Sequence, residues 1–394
     1  MISPAARDLL RLTLVPGVGP VLTRRLLDRF TKIEGILAAS PAQLQEVQGI
    51  GARLGPSIAR DLRTTGAALE DELALAEKLG VSILGISDPG YPELLRQIPD
   101  APPILYIRGT LETAERDRFT VGIVGSRDAT AYGIEQGERF AGGLARAGLT
   151  IVSGGARGID TAAHRGAWRA GGRTIVVLGC GLAECYPPES AELFARIAEG
   201  RDGAGGAIIS ELPLRTLPTP DNFPARNRLI SGLSLGIIVI EAGARSGSLI
   251  TARLATEEHG REVMAVPGRV DSSASSGTLQ LLKQGGAALV TDPGDVLDIL
   301  RGPARHAFDG THAVRYANPA ESPPSDSRNA PTALFDAPGM SSTQRQIVQA
   351  LDRSRTIDEI ALSTGLDAAR LRSELTGLEL SRRVKRIGSR FERA

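Results

Sequence analysis

From about residue 75 to residue 301 the chain alternates short β-branched runs with amphipathic helical stretches, and no other feature restricts its fold so tightly. Such alternation predicts an α/β layer with a parallel sheet at its centre. The pattern predicts strands over Val121–Gly125, Thr150–Ser153, Thr174–Gly179, Ala207–Ser210, Gly236–Glu241 and Glu262–Val266. It predicts helices over Tyr132–Ala147, Thr161–Ala170 and Ser248–His259. A run such as Ile237–Ile240 has no polar face, so both sides of the sheet should be covered. Ligands of such sheets bind at the carboxyl ends of strands, where a strand turns into a helix.

Four of these turns carry unusual residues. Gly125-Ser126-Arg127 offers bared N–H groups, a hydroxyl and a planar guanidinium suited to phosphate, although a plain turn with a solvated arginine would read the same. Ser153-Gly154-Gly155-Ala156-Arg157-Gly158-Ile159-Asp160 sets one arginine among three glycines whose amides can nest an anion. Asp160 is expected to cap the helix that starts at Thr161, and His164 either faces the same pocket or packs in the core. In Phe223-Pro224-Ala225-Arg226-Asn227-Arg228-Leu229-Ile230-Ser231 two arginines flank an asparagine beside an aromatic ring, a set able to bind backbone phosphates and stack a base. Glu241-Ala242-Gly243-Ala244-Arg245-Ser246-Gly247-Ser248 again opens backbone donors at a helix start. The expected DNA-binding set is therefore Gly125, Ser126, Arg127, Ser153, Gly154, Gly155, Arg157, Gly158, Arg226, Asn227, Arg228, Ser246 and Ser248.

What is missing narrows the chemistry. No G-x-x-x-x-G-K-[ST] occurs, which disfavours a P-loop ATPase. Gly179-Cys180-Gly181 starts like a dinucleotide fingerprint but has Glu184 where its last glycine belongs. There is no H-E-x-x-H, and Cys180 and Cys185 cannot form a metal site alone. Glu241 stands at a strand end without an evident partner acid or base, so a turn or capping role is expected for it. No catalytic set, metal or cofactor is expected. The net charge of +1 requires any phosphate-binding surface to be a local cluster. Only four of the 46 basic residues are lysine. With two cysteines, no visible signal peptide and no apolar run near ~20 residues, a cytoplasmic protein without membrane spans is expected.

The flanks differ in texture. Residues 1–70 are helical, with two similar glycine turns, Leu14-Val15-Pro16-Gly17-Val18-Gly19-Pro20 and Val47-Gln48-Gly49-Ile50-Gly51-Ala52. Both look like the hairpin of a helix-hairpin-helix motif, which presents helix N-terminal amides to DNA phosphates; tight turns in a small bundle are the alternative. Residues 302–340 lose all periodicity and read as a disordered linker. In residues 341–394, Thr356–Leu362, Ala368–Leu380 and Val384–Phe391 have the layout of a winged helix with a basic end, six Arg or Lys against one Glu over 381–394. Such a domain serves DNA or protein contacts.

Taken in order, these motifs resemble the DprA (Smf) family of DNA-processing proteins. The resemblance runs through Tyr91-Pro92-Glu93-Leu94-Leu95, Leu105-Tyr106-Ile107-Arg108-Gly109, Gly125-Ser126-Arg127, Ser153–His164, Phe223–Ser231, Ser246–Ala252 and Ala265-Val266-Pro267-Gly268. It implies a Rossmann-like core with a SAM-like helical domain before it and a winged helix after it. It also implies a protein of natural transformation that binds and protects incoming single-stranded DNA, forms a homodimer through its core and loads the RecA recombinase. By motif position Arg127, Arg157, Arg226 and Arg228 would hold phosphates, assisted by Ser126 and the amides of Gly154 and Gly155. Two departures stand out: Gly277-Thr278-Leu279 replaces the family's Gly-Thr-Asn, and Ser381-Arg382-Arg383 lacks its glycine before the wing. The runner-up is a nucleotide phosphoribohydrolase of the lysine-decarboxylase-like (LOG) family, whose P-G-G-x-G-T-x-x-E is absent. A third reading is a scaffold with vestigial phosphate turns.

Overall fold

The computed structural model describes residues 2–200, 204–308, 342–351, 354–366, 371, 374–375, 378, 383–387 and 390–393. The N-terminal helices and the sheet form one compact unit, and the C-terminal residues form a second. The first unit opens with α1 (Pro4–Thr13), α2 (Pro20–Phe30), α3 (Ile33–Ala38), α4 (Pro41–Gln45), α5 (Leu54–Thr64) and α6 (Gly66–Leu79). Ser3 starts α1 by accepting the Ala6 N–H, and Ser40 with Gln43 closes a capping box on α4. The two glycine turns share one physical design. Gly17 and Gly49 take φ of +83° and +94°, which only glycine adopts freely, while Val15, Val18, Val47 and Ile50 on either side are buried. Arg25 donates to the Gln48 carbonyl at 2.9 Å and so ties α2 to the second turn.

The sheet elements follow as β1 (Val81–Gly85), α7 (Glu93–Arg96), β2 (Ile104–Gly109), β3 (Thr120–Val124), α8 (Ala131–Arg146), β4 (Thr150–Gly154) and α9 (Ile159–Arg169). They continue as β5 (Arg173–Val177), α10 (Ala191–Glu199), β6 (Gly205–Ser210), α11 (Asn222–Gly232), β7 (Gly236–Val239) and α12 (Ser248–Glu257). β8 (Glu262–Ala265), α13 (Ser276–Lys283), β9 (Ala288–Leu289) and α14 (Pro293–Phe308) complete the unit. The nine strands lie in the order β1-β2-β6-β5-β4-β3-β7-β8-β9. β6 through β9 pair in parallel, whereas β1 and β2 join antiparallel at one edge. Every residue of β3, β4, β5, β6 and β7 is buried, so the sheet is covered on both faces as its apolar runs require. The winding reverses at β3, since β4 lies on one side of it and β7 on the other. A crevice therefore opens outside its carboxyl end.

Two boundaries differ from the sequence pattern. α9 begins at Ile159, with Gly158 at its N-cap, so Asp160 sits inside the first turn rather than capping it. The cause is steric: Gly158 has φ +74°, and a Cβ there would lie 2.3 Å from the Ser126 carbonyl oxygen. α14 runs to Phe308 and carries Pro303, past the expected boundary at 301. The rest of the expected linker, from residue 309, lies outside the described residues.

In the C-terminal unit, helices Ser342–Ala350 and Ile357–Thr364 accompany a three-stranded sheet, β10 (Arg355–Thr356), β11 (Val384–Ile387) and β12 (Arg390–Arg393), ordered β10-β12-β11. Thr356 and Glu359 cap the second helix reciprocally. Ile347, Leu351, Ile360, Leu371, Leu375, Leu378, Val384 and Phe391 form its core. This is a winged helix, with the β11–β12 hairpin as wing. Most of the Ala368–Leu380 helix, and the Ser381-Arg382 part of the pre-wing departure, lie outside the described residues.

A buried ion pair anchors the start of β5. Arg173 donates from Nε and Nη2 to both oxygens of Asp117 at 2.8 and 2.7 Å, and from Nη1 to Glu112 at 3.0 Å. Thr150 adds a hydroxyl bond to Asp117 at 2.8 Å. Losing one member of such a pair leaves an uncompensated buried charge, whereas losing both does not. Asp117→Ala is expected to lower the unfolding free energy by about 3–5 kcal/mol. Asp117→Leu combined with Arg173→Met should recover most of that loss. Urea midpoints of the three proteins at neutral pH check both statements.

Candidate nucleic-acid interface

At the carboxyl ends of β4 and β5 the chain closes around a cavity of about 90 Å³. It is lined by the first turn (Arg127), the second (Gly155, Ala156, Arg157), the loop after β5 (Leu178, Gly179, Cys180, Tyr186, Pro187) and the start of α11 (Phe223, Arg226). Arg226 forms its floor. It is 4% exposed, and its Nη1 donates to the Val177 carbonyl at the end of β5. Gly154 makes room for it, because a Cβ there would lie 2.0 Å from Arg226 Nη1 and 2.4 Å from Asp160 Oδ2.

Charge at this floor is poised against burial. Burial works against the charged form of Arg226, the Asp160 carboxylate supports it, and the neighbouring Arg127 opposes it again. Asp160 is pushed up by burial, while Arg226 and the Ala156 N–H pull it down. Arg226 Nε has no hydrogen-bond partner. A buried, incompletely satisfied guanidinium facing a cavity favours an incoming anion.

Above the floor, Arg127 and Arg157 are exposed. The Arg127 guanidinium lies 5.0 Å from the centroid of the Phe223 ring, and Tyr186 packs on that ring at 5.5 Å with a 42° tilt. Gly179 admits Phe223, since a Cβ there would meet Phe223 Cδ1 at 3.1 Å. Arg157 is held by Glu189 in an exposed ion pair. The arrangement therefore combines three guanidiniums with two aromatic faces. That chemistry suits a phosphodiester backbone with unstacked bases.

The expected residues separate here. Arg127, Gly155, Arg157 and Arg226 come together in the cavity lining, with Gly154 directly behind Arg226. Gly125 and Gly158 shape the approach: a Cβ on Gly125 would meet Ile159 Cγ1 at 2.5 Å and the Glu241 carbonyl at 2.9 Å. Ser126 spends its N–H on the Glu241 carbonyl, and its hydroxyl accepts from Asp128 N–H at 3.2 Å, which leaves the hydroxyl proton to donate. Ser153 is fully buried and donates to the Ile123 carbonyl at 2.6 Å, and its hydroxyl also meets the Asp160 carboxylate behind the floor.

Arg228 requires a correction. Two positions beyond Arg226 on α11, it is rotated by about 200° around the helix. There it pairs with Asp100 at 3.0 Å and with Glu211, and it is only 11% exposed. It clamps α11 to the end of β6 and does not line the cavity. Asn227, Ser246 and Ser248 are also absent from the lining. The two serines lie beyond β7, with hydroxyls 2.8 Å apart. Glu241 accepts the Thr130 N–H at 2.8 Å and the Thr130 hydroxyl at 2.7 Å, the turn role expected of it ahead of α8. Sequence reasoning missed Tyr186 and the Leu178–Pro187 loop. The signal was present: β5 neighbours β4, so its carboxyl end faces the same crevice.

Residues 82–301 match the family model for DNA recombination-mediator protein A. The chain is also 34% identical to Protein Smf of Synechocystis over 96% of both chains. It belongs to the DprA/Smf family. Residues 9–64 match a SAM-like helix-hairpin-helix tandem and residues 319–388 a DprA winged-helix domain. Protein Smf of Escherichia coli K12 is 43% identical over 59% of this chain and 60% of its own length. DprA of Bacillus subtilis is 40% identical over 55% of this chain and 71% of its own. The crystal structure of DNA processing protein A from Streptococcus pneumoniae shares 33% identity with a TM-score of 0.65, covering 75% of this chain and 98% of that one. The DprA/Smf proteins are DNA-processing proteins, and this assignment favours a nucleic-acid reading of the cavity over a phosphoribohydrolase one.

His164 supports the cavity from beneath rather than facing it. It is fully buried, its Nε2–H donates to the Gly154 carbonyl at 2.8 Å, and its Nδ1 lies 2.7 Å from the Thr174 hydroxyl. Burial depresses its pKa to about 4. The unfolded chain, with a histidine near 6.5, then binds the extra proton first. The contribution of His164 is complete above pH 6.5 and is lost as pH falls from 6.5 toward about 4. Urea unfolding at pH 7.5 and 5 should show a smaller loss on acidification for His164→Gln than for the parent chain.

Proposed function

We propose that this chain binds single-stranded DNA through the cavity at the ends of β4 and β5, protects incoming strands in natural transformation and hands them to the RecA recombinase. The observation that supports it is the convergence of Arg127, Arg157 and Arg226 with the Phe223 and Tyr186 rings. Phosphates would sit against the guanidiniums and the Ser126 hydroxyl. A base would stack on Phe223 once Arg127 swings from its face. A duplex, whose bases are already paired and stacked, would offer Phe223 no free base face. On this reading the protein acts as a binder rather than an enzyme, works in the cytoplasm and needs no cofactor. A phosphoribohydrolase would want a free carboxylate at the fourth turn, and Glu241 has both oxygens occupied by Thr130.

The homodimer implied by the family would form through the core. Its support here is the edge strand β9, whose residues are both exposed, with Leu289 at 56%. Among the described residues no helix is long and apolar enough to cross a membrane.

Anisotropy of labelled oligo-dT tests the binding reading. Phe223→Ala should weaken binding about 5-fold to 100-fold, the range of one lost stacking contact. Arg127→Ala should weaken binding and flatten the slope of log K against log salt by about 0.7, one phosphate contact on a single strand. Equal affinities for the parent chain and both variants would sink the proposal. A duplex of the same length should bind more weakly. RecA filament formation on strands coated with a single-strand-binding protein, with and without this chain, tests the handover.

A further inference from the structure

A second depression of about 460 Å³ runs along the outer face of α9 and the start of α10. Thr161, Arg165, Trp168 and Arg169 recur along α9 at intervals of three and four, so they share one face of the helix. Ala162, Ala163, Gly166 and Ala167 turn the other way and are buried. Leu193 and Arg196 of α10 form the opposite wall. The groove adjoins the cavity already described, and Arg157 lines both. From Thr161 to Arg169 it spans roughly 12 Å along the helix.

We propose that this groove is a second subsite for the same single strand, holding the nucleotides that leave the cavity past Arg157, with Trp168 as stacking platform. The inference rests on the single-strand reading given above. Four guanidiniums border the groove, those of Arg157, Arg165, Arg169 and Arg196, and the Arg196 guanidinium lies 5.4 Å from the Trp168 ring centroid. A base entering between them meets an aromatic face on one side and a planar cation on the other. In the unbound protein each guanidinium is held by a carboxylate: Arg157 by Glu189, Arg165 and Arg169 by Glu138, and Arg196 by Glu192. These pairs are solvent-accessible, the class that contributes least to stability, so phosphate oxygens can replace the carboxylates at little cost. The carboxylates also keep the groove from attracting anions indiscriminately. Occupancy then depends on a strand already anchored in the cavity, where the second contact is intramolecular.

Trp168 is the one tryptophan of the chain, so tryptophan fluorescence, excited beyond the tyrosine absorption band, reports on this groove alone. The full chain is titrated with oligo-dT of about 4 and about 16 nucleotides, the limits of common single-strand site sizes. The long oligomer should quench Trp168 fluorescence, and the short one should bind without quenching it. Trp168→Leu, which keeps an apolar side chain against the core, should weaken the long oligomer at least about fivefold and leave the short one unchanged. Arg165→Ala with Arg169→Ala should flatten the salt slope for the long oligomer only. If the long oligomer binds by anisotropy while fluorescence, Trp168→Leu and the double variant all leave no trace, the groove proposal is overturned and the cavity reading stands. If neither oligomer binds at all, the cavity reading itself has failed.

Discussion

Arg226 sends a guanidinium between the ends of two buried parallel strands, and the surrounding structure is arranged to hold it there. Gly154 is without a Cβ because the guanidinium occupies that space, the Val177 carbonyl accepts from it, and Asp160 stands beside it on the first turn of α9. One charge thereby couples β4, β5, α9 and α11. His164 donates to the Gly154 carbonyl from the opposite side, and burial keeps its ring neutral. The constraint runs outward as well. Asp160 can face Arg226 only because Gly158 starts the helix early, and Gly158 is compelled by the close passage of the Ser126 carbonyl. The first and second turns are thus one mechanical unit, which sets Arg127 and Arg157 on either side of the floor.

This arrangement explains how a chain with a net charge of +1 can gather three guanidiniums in one crevice. Its arginines are distributed between two tasks by burial and by the acids they meet. Arg173 and Arg228 are almost enclosed and matched by Asp117, Glu112, Asp100 and Glu211, and they hold elements together. Arg127 and Arg157 stay in solvent, one resting on an aromatic ring and the other on a carboxylate at the surface. Contacts of that second kind are weak enough to exchange for a ligand. Arg226 lies between the two classes, buried like the first but lining the cavity.

Much of this was legible in the order of residues. The parallel sheet, the all-buried inner strands and the strand-end turns follow from local periodicity and from glycine, and the observed β3 to β8 begin and end within about two residues of the pattern. Arg127, Arg157 and Arg226 stood out because an arginine among glycines or beside an aromatic at a strand end has little structural purpose. Tyr186 did not stand out, because its role depends on the ring of Phe223, 37 positions later in the chain, lying 5.5 Å away. Ser153, Ser246 and Ser248 entered the expected DNA-binding set from their neighbours in sequence. The Ser153 hydroxyl meets the Ile123 carbonyl and Asp160, and those of Ser246 and Ser248 meet one another.

By itself the sequence determined that the chain builds an α/β core between two helical modules, and that its unusual residues gather where strands become helices. Those are local consequences of hydrophobic period, β-branching and glycine. Only the tertiary structure decided which guanidiniums meet. Arg226 and Arg228 stand two residues apart in one motif, yet the turn of α11 sends the first into the crevice and the second toward Asp100 and Glu211. A helix's rotation about its axis is set by what packs against it, and the acids that claim Arg228 come from distant parts of the chain.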